Sequence, residues 1–441
     1  MGTAADPKPL PDLPSPAPRD PGRRAFLGGL GALAAAAALP ASGGALLGCG
    51  PGGDEEDARR LEARIAAERA RAGQGPLGER VFRGYRGLAE LPEFALGADG
   101  RLRCVASGVD GAVDVHTHLG IAVLLAPGID LTRRTERVRY FLDCDDPELP
   151  EPCRLDLDVY INDNFTRPMR RRLTIEQLRQ AFLGSTFART HTAANLVEEL
   201  ERMRFGHAAV LPIDLGLPFG DDTTFTWIEA IDALEGAQAG AGADAGAPRL
   251  VPGASVHPRD PDKEAKLRRA ASRGARIVKL HPEFQRFFPD APEAMEVYAL
   301  CEELGLPVIF HAGRSGIEPA QLRPYALLRH YEPAAAEFPE LPFVFGHGGA
   351  RDLPDAVGVA RRRPNVWLGT SSLGVTVLGE AMEALGPERF VFGSDWPFYA
   401  VAAPLAKVLL LTRDDPAARR LVLRGNAERV LPRGTLRPAS V

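Results

Sequence analysis

From Gly111 onward, short runs of Val, Ile, Leu and Phe alternate with stretches whose apolar residues recur at helical spacing. The runs cover residues 112–115, 208–213, 251–256, 276–280, 307–310, 343–345, 365–368 and 390–392. Near-continuous apolar runs of this length fit strands buried on both faces of a parallel sheet. Amphipathic stretches such as 262–273 and 291–304 read as the helices between them, the second stopped by Gly305 and Pro307. Eight such strands in alternation with helices predict the α/β class and a (β/α)₈ barrel. A doubly wound sheet would place a Gly-rich phosphate turn after the first strand, and that turn is missing. The interval 119–207 is too long for a structureless loop. It holds a helical stretch at 174–183, and we expect a helical insertion between strands one and two, about 133–200, capping the C-terminal mouth. A Gly/Ala-rich stretch, 237–247, reads as a second, flexible insertion.

The pattern ahead of the barrel is different. Arg23-Arg24-Ala25-Phe26-Leu27 opens a short Ala-rich apolar stretch ending near Leu39, which reads as a twin-arginine export signal. It is too short and too weakly apolar for a membrane span. Leu46-Leu47-Gly48-Cys49 looks like a lipoprotein processing box, implying cleavage before Cys49 and lipid on its sulfur. The expected organisation is therefore a signal over 1–49, a polar spacer and lead-in over 50–105, and a barrel over 106–436. The expected location is the periplasm or cell envelope, with membrane contact only through the anchor at Cys49. Leu61 and Ile65, four apart, leave open a helix packed on the domain instead of a free spacer. In an oxidising compartment Cys144 and Cys153 could pair across their acidic, Pro-rich loop. No C-x-x-C pair exists, which argues against a zinc ribbon or thioredoxin-type site. The net charge of -5 and the scattered basic residues give no reason to expect nucleic-acid binding. The one dense knot, Arg167 with Arg170-Arg171-Arg172, reads as a solvated helix face.

The chemistry gathers at the strand ends. Asp114-Val115-His116-Thr117-His118 places two imidazoles on one strand, about 7 Å apart and facing the same way. Such a pair can converge on one metal ion. Later strands end in Lys279-Leu280-His281-Pro282, Phe310-His311-Ala312-Gly313, Gly346-His347-Gly348-Gly349 and Gly393-Ser394-Asp395-Trp396. Of nine histidines, five fall on these ends, where a barrel puts its active site. His191, His207, His257 and His330 lack such company and read as structural.

These motifs, with Val113-Asp114 before the first pair and Gly425-Asn426-Ala427-Glu428-Arg429 near the end, resemble the amidohydrolase superfamily. The similarity runs over about residues 106–432, in particular to the amidohydrolase-related branch of metal-dependent hydrolases and decarboxylases. The resemblance implies that His116, His118, His311 and Asp395 bind a divalent metal. It implies that Asp395 also takes a proton from water and that His347 serves the water or the substrate. Zinc suits three imidazoles and a carboxylate best, with manganese, iron or cobalt as alternatives. Some relatives carboxylate a fourth-strand lysine to bridge two metals, but the Lys-x-His-Pro pattern looks more like the single-metal branch. Lys279 and His281 are then expected to face substrate. Arg314 could grip a substrate carboxylate, or form a salt bridge. A homodimer is common among such relatives.

Three functions compete. The first is hydrolysis of a C–N or C–O bond in a small organic substrate by metal-activated water. The second is non-oxidative decarboxylation on the same residues. The third is a non-catalytic metal- or solute-binding lipoprotein.

Overall fold

The computed structural model describes residues 53–122, 126–149, 151–216, 223–240 and 248–437, within a compact unit spanning 50–441. The export signal, Cys49 and residues 241–247 of the second insertion lie outside the described residues. Eight parallel strands form the centre: β1 (Ala112–Thr117), β2 (Phe205–Val210), β3 (Arg249–Pro252), β4 (Val278–Leu280), β5 (Val308–His311), β6 (Phe343–Gly346), β7 (Val366–Gly369) and β8 (Phe390–Val391). β1–β3 and β4–β8 are two parallel ladders. Bridges Ala254↔Val278 and Thr117↔Trp396 join them at both edges. The second seam is tied by Val115 N donating to Phe392 O (2.9 Å), Asp395 N to His116 O (2.8 Å) and His118 N to Trp396 O (2.7 Å). Closure makes the sheet a barrel and removes the doubly wound alternative.

Alternation along the strands builds two cores. Ile309, Val344 and Val391 point inward with Val113, Val115 and Ile277. Phe310, Phe343 and Phe345 point outward beneath the helices. Those helices include α3 (Ala193–Met203), α4 (Thr223–Gly240), α5 (Lys263–Ser272), α6 (Pro292–Leu304), α7 (Leu353–Arg362), α8 (Val375–Leu385) and α9 (Ala402–Leu411). α4 runs through Gly240, so the first residues of the expected second insertion continue a helix.

Between β1 and β2, α2 (Arg167–Phe182) starts earlier than the sequence predicts, because Thr166 caps it by accepting from Met169 N and Pro168 fits its first turn. The surrounding loops bind the C-terminal ends of the last strands. Phe141 N and Leu142 N donate to Pro397 O and Phe398 O, and Ile161 N donates to Ser372 O. Cys144 and Cys153 form a disulfide within this cover. Residues of the expected spacer form α1 (Gly53–Arg71), which docks on the barrel through buried Leu61 and several ion pairs. No helix among the described residues is long and apolar enough to cross a membrane.

The disulfide closes a loop of sequence separation 9, which chain entropy values at about 2.5 kcal/mol. A Cys144→Ser/Cys153→Ser chain should lose about that much stability in urea denaturation. Unchanged midpoints would show that the cover is held by its other contacts alone.

Candidate metal centre

The histidine pair is aimed by an irregularity. Val113 and Val115 belong to the inner core, so strict alternation would turn His116 outward. The β1–β2 register shifts between Asp114 and Thr117, and such a bulge re-aims the residues that follow it. Asp114 Oδ1 steadies the bulge by accepting from His116 N and Ser394 N, both at 3.0 Å. The His116 ring fits because Gly346 and Gly393 flank it. A Cβ on Gly393 would stand 2.8 Å from His116 Cβ, and one on Gly346 would stand 3.1 Å from His116 Cε1.

His118 Nδ1 lies 2.7 Å from Leu211 O. A carbonyl only accepts, so Nδ1 carries the proton and Nε2 the lone pair. That lone pair faces Asp395 Oδ1 at 3.4 Å, and His116 Nε2 lies 3.6 Å from the same oxygen. His116, His347 and Asp395 each offer a ligand atom within 4.8 Å of the others. Ligand atoms around one tetrahedral ion stand about 3.4 Å apart. Acceptors facing one another at that spacing call for a cation between them, so the donor set fits a divalent metal. The Nδ1 of His116 is buried without a partner.

Burial, the nearby Lys279 charge and the His347 ring hold His116 well below the usual histidine range. Burial, then Lys279 and His118, lower His311 to about 3. Burial also holds His347 and His281 well below the usual histidine range, with the His311 ring as the next contributor. Neutral imidazoles are the form that ligates. Lys279 is drawn to about 7 by burial, with Asp395 opposing, and its Nζ lies 3.0 Å from His116 Nε2. Lys279 thus reaches the metal group.

His347 and Asp395 take left-handed backbone, φ 57° and 64°, which costs a non-glycine residue about 1–2 kcal/mol. A hydrogen-bond chain fixes the His347 ring. Tyr399 OH donates to Asn162 Oδ1 (2.8 Å) and Ser372 Oγ donates to Tyr399 (3.4 Å). Ser372 Oγ therefore accepts from His347 Nδ1 at 3.0 Å, with Ser371 Oγ alongside at 3.1 Å. His347 Nε2 is left to accept from His311 Nδ1 at 3.0 Å. His311 turns its other nitrogen to Glu283 Oε2 at 3.5 Å. It forms a second close group with Glu283 and His281, stacking on the His281 ring at 4.1 Å. The expected ligands are thus gathered unevenly: His116, His118 and Asp395 directly, His311 one imidazole away through His347.

Arg314 corrects an expectation. Its Nε and Nη2 donate to Asp352 at 2.8 and 2.7 Å, and Nη1 donates to Asp57 O at 2.6 Å. The fork that would grip a substrate carboxylate grips Asp352, because Asp352 sits five residues past His347 on the neighbouring strand end. The other histidines make local contacts: His191 reaches Arg139 O, His257 reaches Gln285 O, His330 pairs with Asp290, and His207 accepts from Arg437 N. Sequence reasoning missed Glu283, Ser371, Ser372, Tyr399 and Asn162. Only Glu283, two residues past His281, had a positional signal.

Glu283 gives a pH test. Its carboxyl is pushed up to about 9, by burial first and then by Glu318 and Asp352, with Arg323 opposing. The unfolded chain ionises this group near its ordinary 4.5, so its stabilising contribution is complete below that pH and is lost as pH rises toward 9. Melting of the metal-free protein should therefore weaken between pH 5 and 9 more in the wild type than in Glu283→Gln. Parallel pH dependence of the two would refute the assignment.

The family model described as Amidohydrolase matches residues 174–433, more than half of the chain, beginning after β1. Among solved structures the chain is similar to an uncharacterised TIM-barrel protein from Bordetella bronchiseptica, with 20% identity over 73% of this chain and 98% of that one and a TM-score of 0.48. It is similar to 5-carboxyvanillate decarboxylase from Sphingomonas paucimobilis, with 19% identity over 53% and 81% and a TM-score of 0.39. It is also similar to 2,6-dihydroxybenzoate decarboxylase from Rhizobium, with 17% identity over 73% and 98% and a TM-score of 0.42. No curated protein matches. The family match spans β2 to the C-terminal helices and takes in four of the five chemistry-bearing strand ends, and on that match the chain belongs to the amidohydrolase family.

Proposed function

We propose that this protein is a metal-dependent hydrolase acting on a C–N or C–O bond of a small organic substrate. The observation that carries this is the convergence of His118 Nε2, His116 Nε2 and Asp395 Oδ1 with no donor between the His118 and Asp395 acceptors. His116, His118 and Asp395 would hold one divalent ion, zinc before manganese, iron or cobalt, with the fourth ligand from the His311–His347 pair. Such an ion supplies Lewis acidity to a substrate oxygen and acidifies water. Around it, Asp395 offers a carboxylate oxygen to a proton leaving water. His347, held by Ser371 and Ser372, presents an unprotonated Nε2 that would take up a proton before passing it to the leaving group. The cover over the strand ends limits solvent at the site. Decarboxylation is the second reading: it would use the same residues, with the ion holding a substrate carboxylate or a neighbouring oxygen while His347 assists proton transfer.

Chelation should abolish turnover in a screen of lactones, amides and aromatic carboxylates, and Zn²⁺ should restore it. Asp395→Asn should lower the rate by at least about 10²-fold. Activity surviving complete metal removal would refute the proposal, and CO₂ release without incorporation of solvent oxygen would reassign it to decarboxylation.

We further propose export by the twin-arginine route and anchoring at Cys49. Wild-type protein should sediment with membranes and a Cys49→Ala chain should not. Equal partition of the two would remove the anchor.

A further inference from the structure

His347 stands at the head of a loop that local preferences do not favour. His347, Gly348, Gly349 and Ala350 all have positive φ, at 57°, 59°, 84° and 49°. Two of the four are not glycine, and a side chain disfavours positive φ. A Cβ on Gly313 would meet Gly349 O at 1.8 Å, so the loop also lies hard against the end of β5. Such a backbone persists only where its surroundings hold it.

The hold is at the loop's far end. Arg351 and Asp352 are both buried. Arg351 Nε donates to Ser315 O (2.8 Å), its Nη2 to Asp163 Oδ1 (2.9 Å) and its Nη1 to Glu68 Oε2 (2.8 Å). Asp352 takes Arg314 on one side and Arg64 on the other, and Arg64 also pairs with Asp355 at 2.9 Å. Glu68 and Arg64 are four apart on α1, so one helix face meets both charges at once. Asp57 anchors the start of the same helix, accepting from Arg314 through its backbone and pairing with Arg329 through its carboxylate (3.1 Å). α1 and Asp163 lie outside the stretch matched by the family model. The loop that carries His347 is thus held in part by residues outside the family match.

We propose that Glu68 and Arg64 are positioning residues for His347: α1 clasps the loop after β6 and sets the direction of the His347 ring. Removing Glu68 takes one of two carboxylates from a buried guanidinium, a costly imbalance. The loop can relieve it by relaxing toward ordinary backbone, which would carry the His347 ring out of its contacts with Ser372 and His311. The proposal rests on the reading that His347 serves the reaction, but its test does not need a substrate.

The test uses the full chain, metal-free and labelled with ¹⁵N-histidine, with the His347 ring signals identified by their loss in His347→Gln. In the wild type those signals should report a proton on Nδ1. Glu68→Ala and Arg64→Ala should each shift or broaden the His347 signals while those of His191 and His257 stay in place. Arg60→Ala, which removes an exposed pair with Glu56 on the same helix, should change none. Glu68→Gln, which keeps an acceptor for Arg351, should recover part of the wild-type signal. His347 signals that stay fixed in both alanine variants would overturn the proposal, even if the melting temperature falls, because α1 would then contribute stability alone. A uniform shift of all the histidine signals would overturn it too, since that reports general loosening. Chelation of the loaded enzyme tests the metal reading separately, so the two can fail independently.

Discussion

The seam between β1 and β8 is the constraint on which the candidate site depends. His116 and Asp395 are far apart in sequence, yet the backbone of one hydrogen-bonds directly to the other, and His118 is tied in the same way to Trp396. Two acceptors that would repel in isolation are therefore held about a ligand edge apart by backbone geometry before any ion arrives. Asp114 belongs to the same seam, with one carboxylate oxygen receiving an amide from each side. Pre-positioning of this kind spares the ion the cost of gathering its ligands.

Burial sets the protonation pattern around that seam. His116, His281, His311 and His347 are kept neutral chiefly because the site excludes water. Asp114 and Glu283 are raised for the same cause. The chain of hydrogen bonds from Asn162 through Tyr399, Ser372 and His347 to His311 runs in one direction, and it fixes each ring's tautomer without a charged partner. Neutral rings and orderly donors suit a centre whose positive charge comes from a bound ion.

The parts outside the barrel pattern do more than cover it. The loops between β1 and β2 bond to the segments after β7 and β8, and Asn162 and Asp163 from that region reach the His347 chain and the Arg351 guanidinium. α1 closes the same side from the N-terminus. Its charges answer buried charges on the loops after β5 and β6, and Arg314 is drawn into that network instead of toward a ligand. The polar composition that reads as a spacer is the composition needed to meet Arg351 and Asp352.

The sequence by itself determined the barrel and the strand ends. Apolar runs alternating with amphipathic stretches are a local, periodic property, and a histidine next to the end of such a run is legible without coordinates. His116, His118, His281, His311 and His347 were found in this way, with Lys279 and Asp395 at the same strand ends. Only the tertiary structure decided how they divide. Local alternation cannot announce the β1 bulge that turns His116 inward, because the slip is defined against a neighbouring strand. It also cannot show that Arg314 is spent on Asp352 and the Asp57 carbonyl, that Glu283 stands beside His311, or that Ser372 and Tyr399 orient His347. Each of those depends on contacts between segments far apart in the chain, and one-dimensional spacing carries no information about which charges folding will bring together.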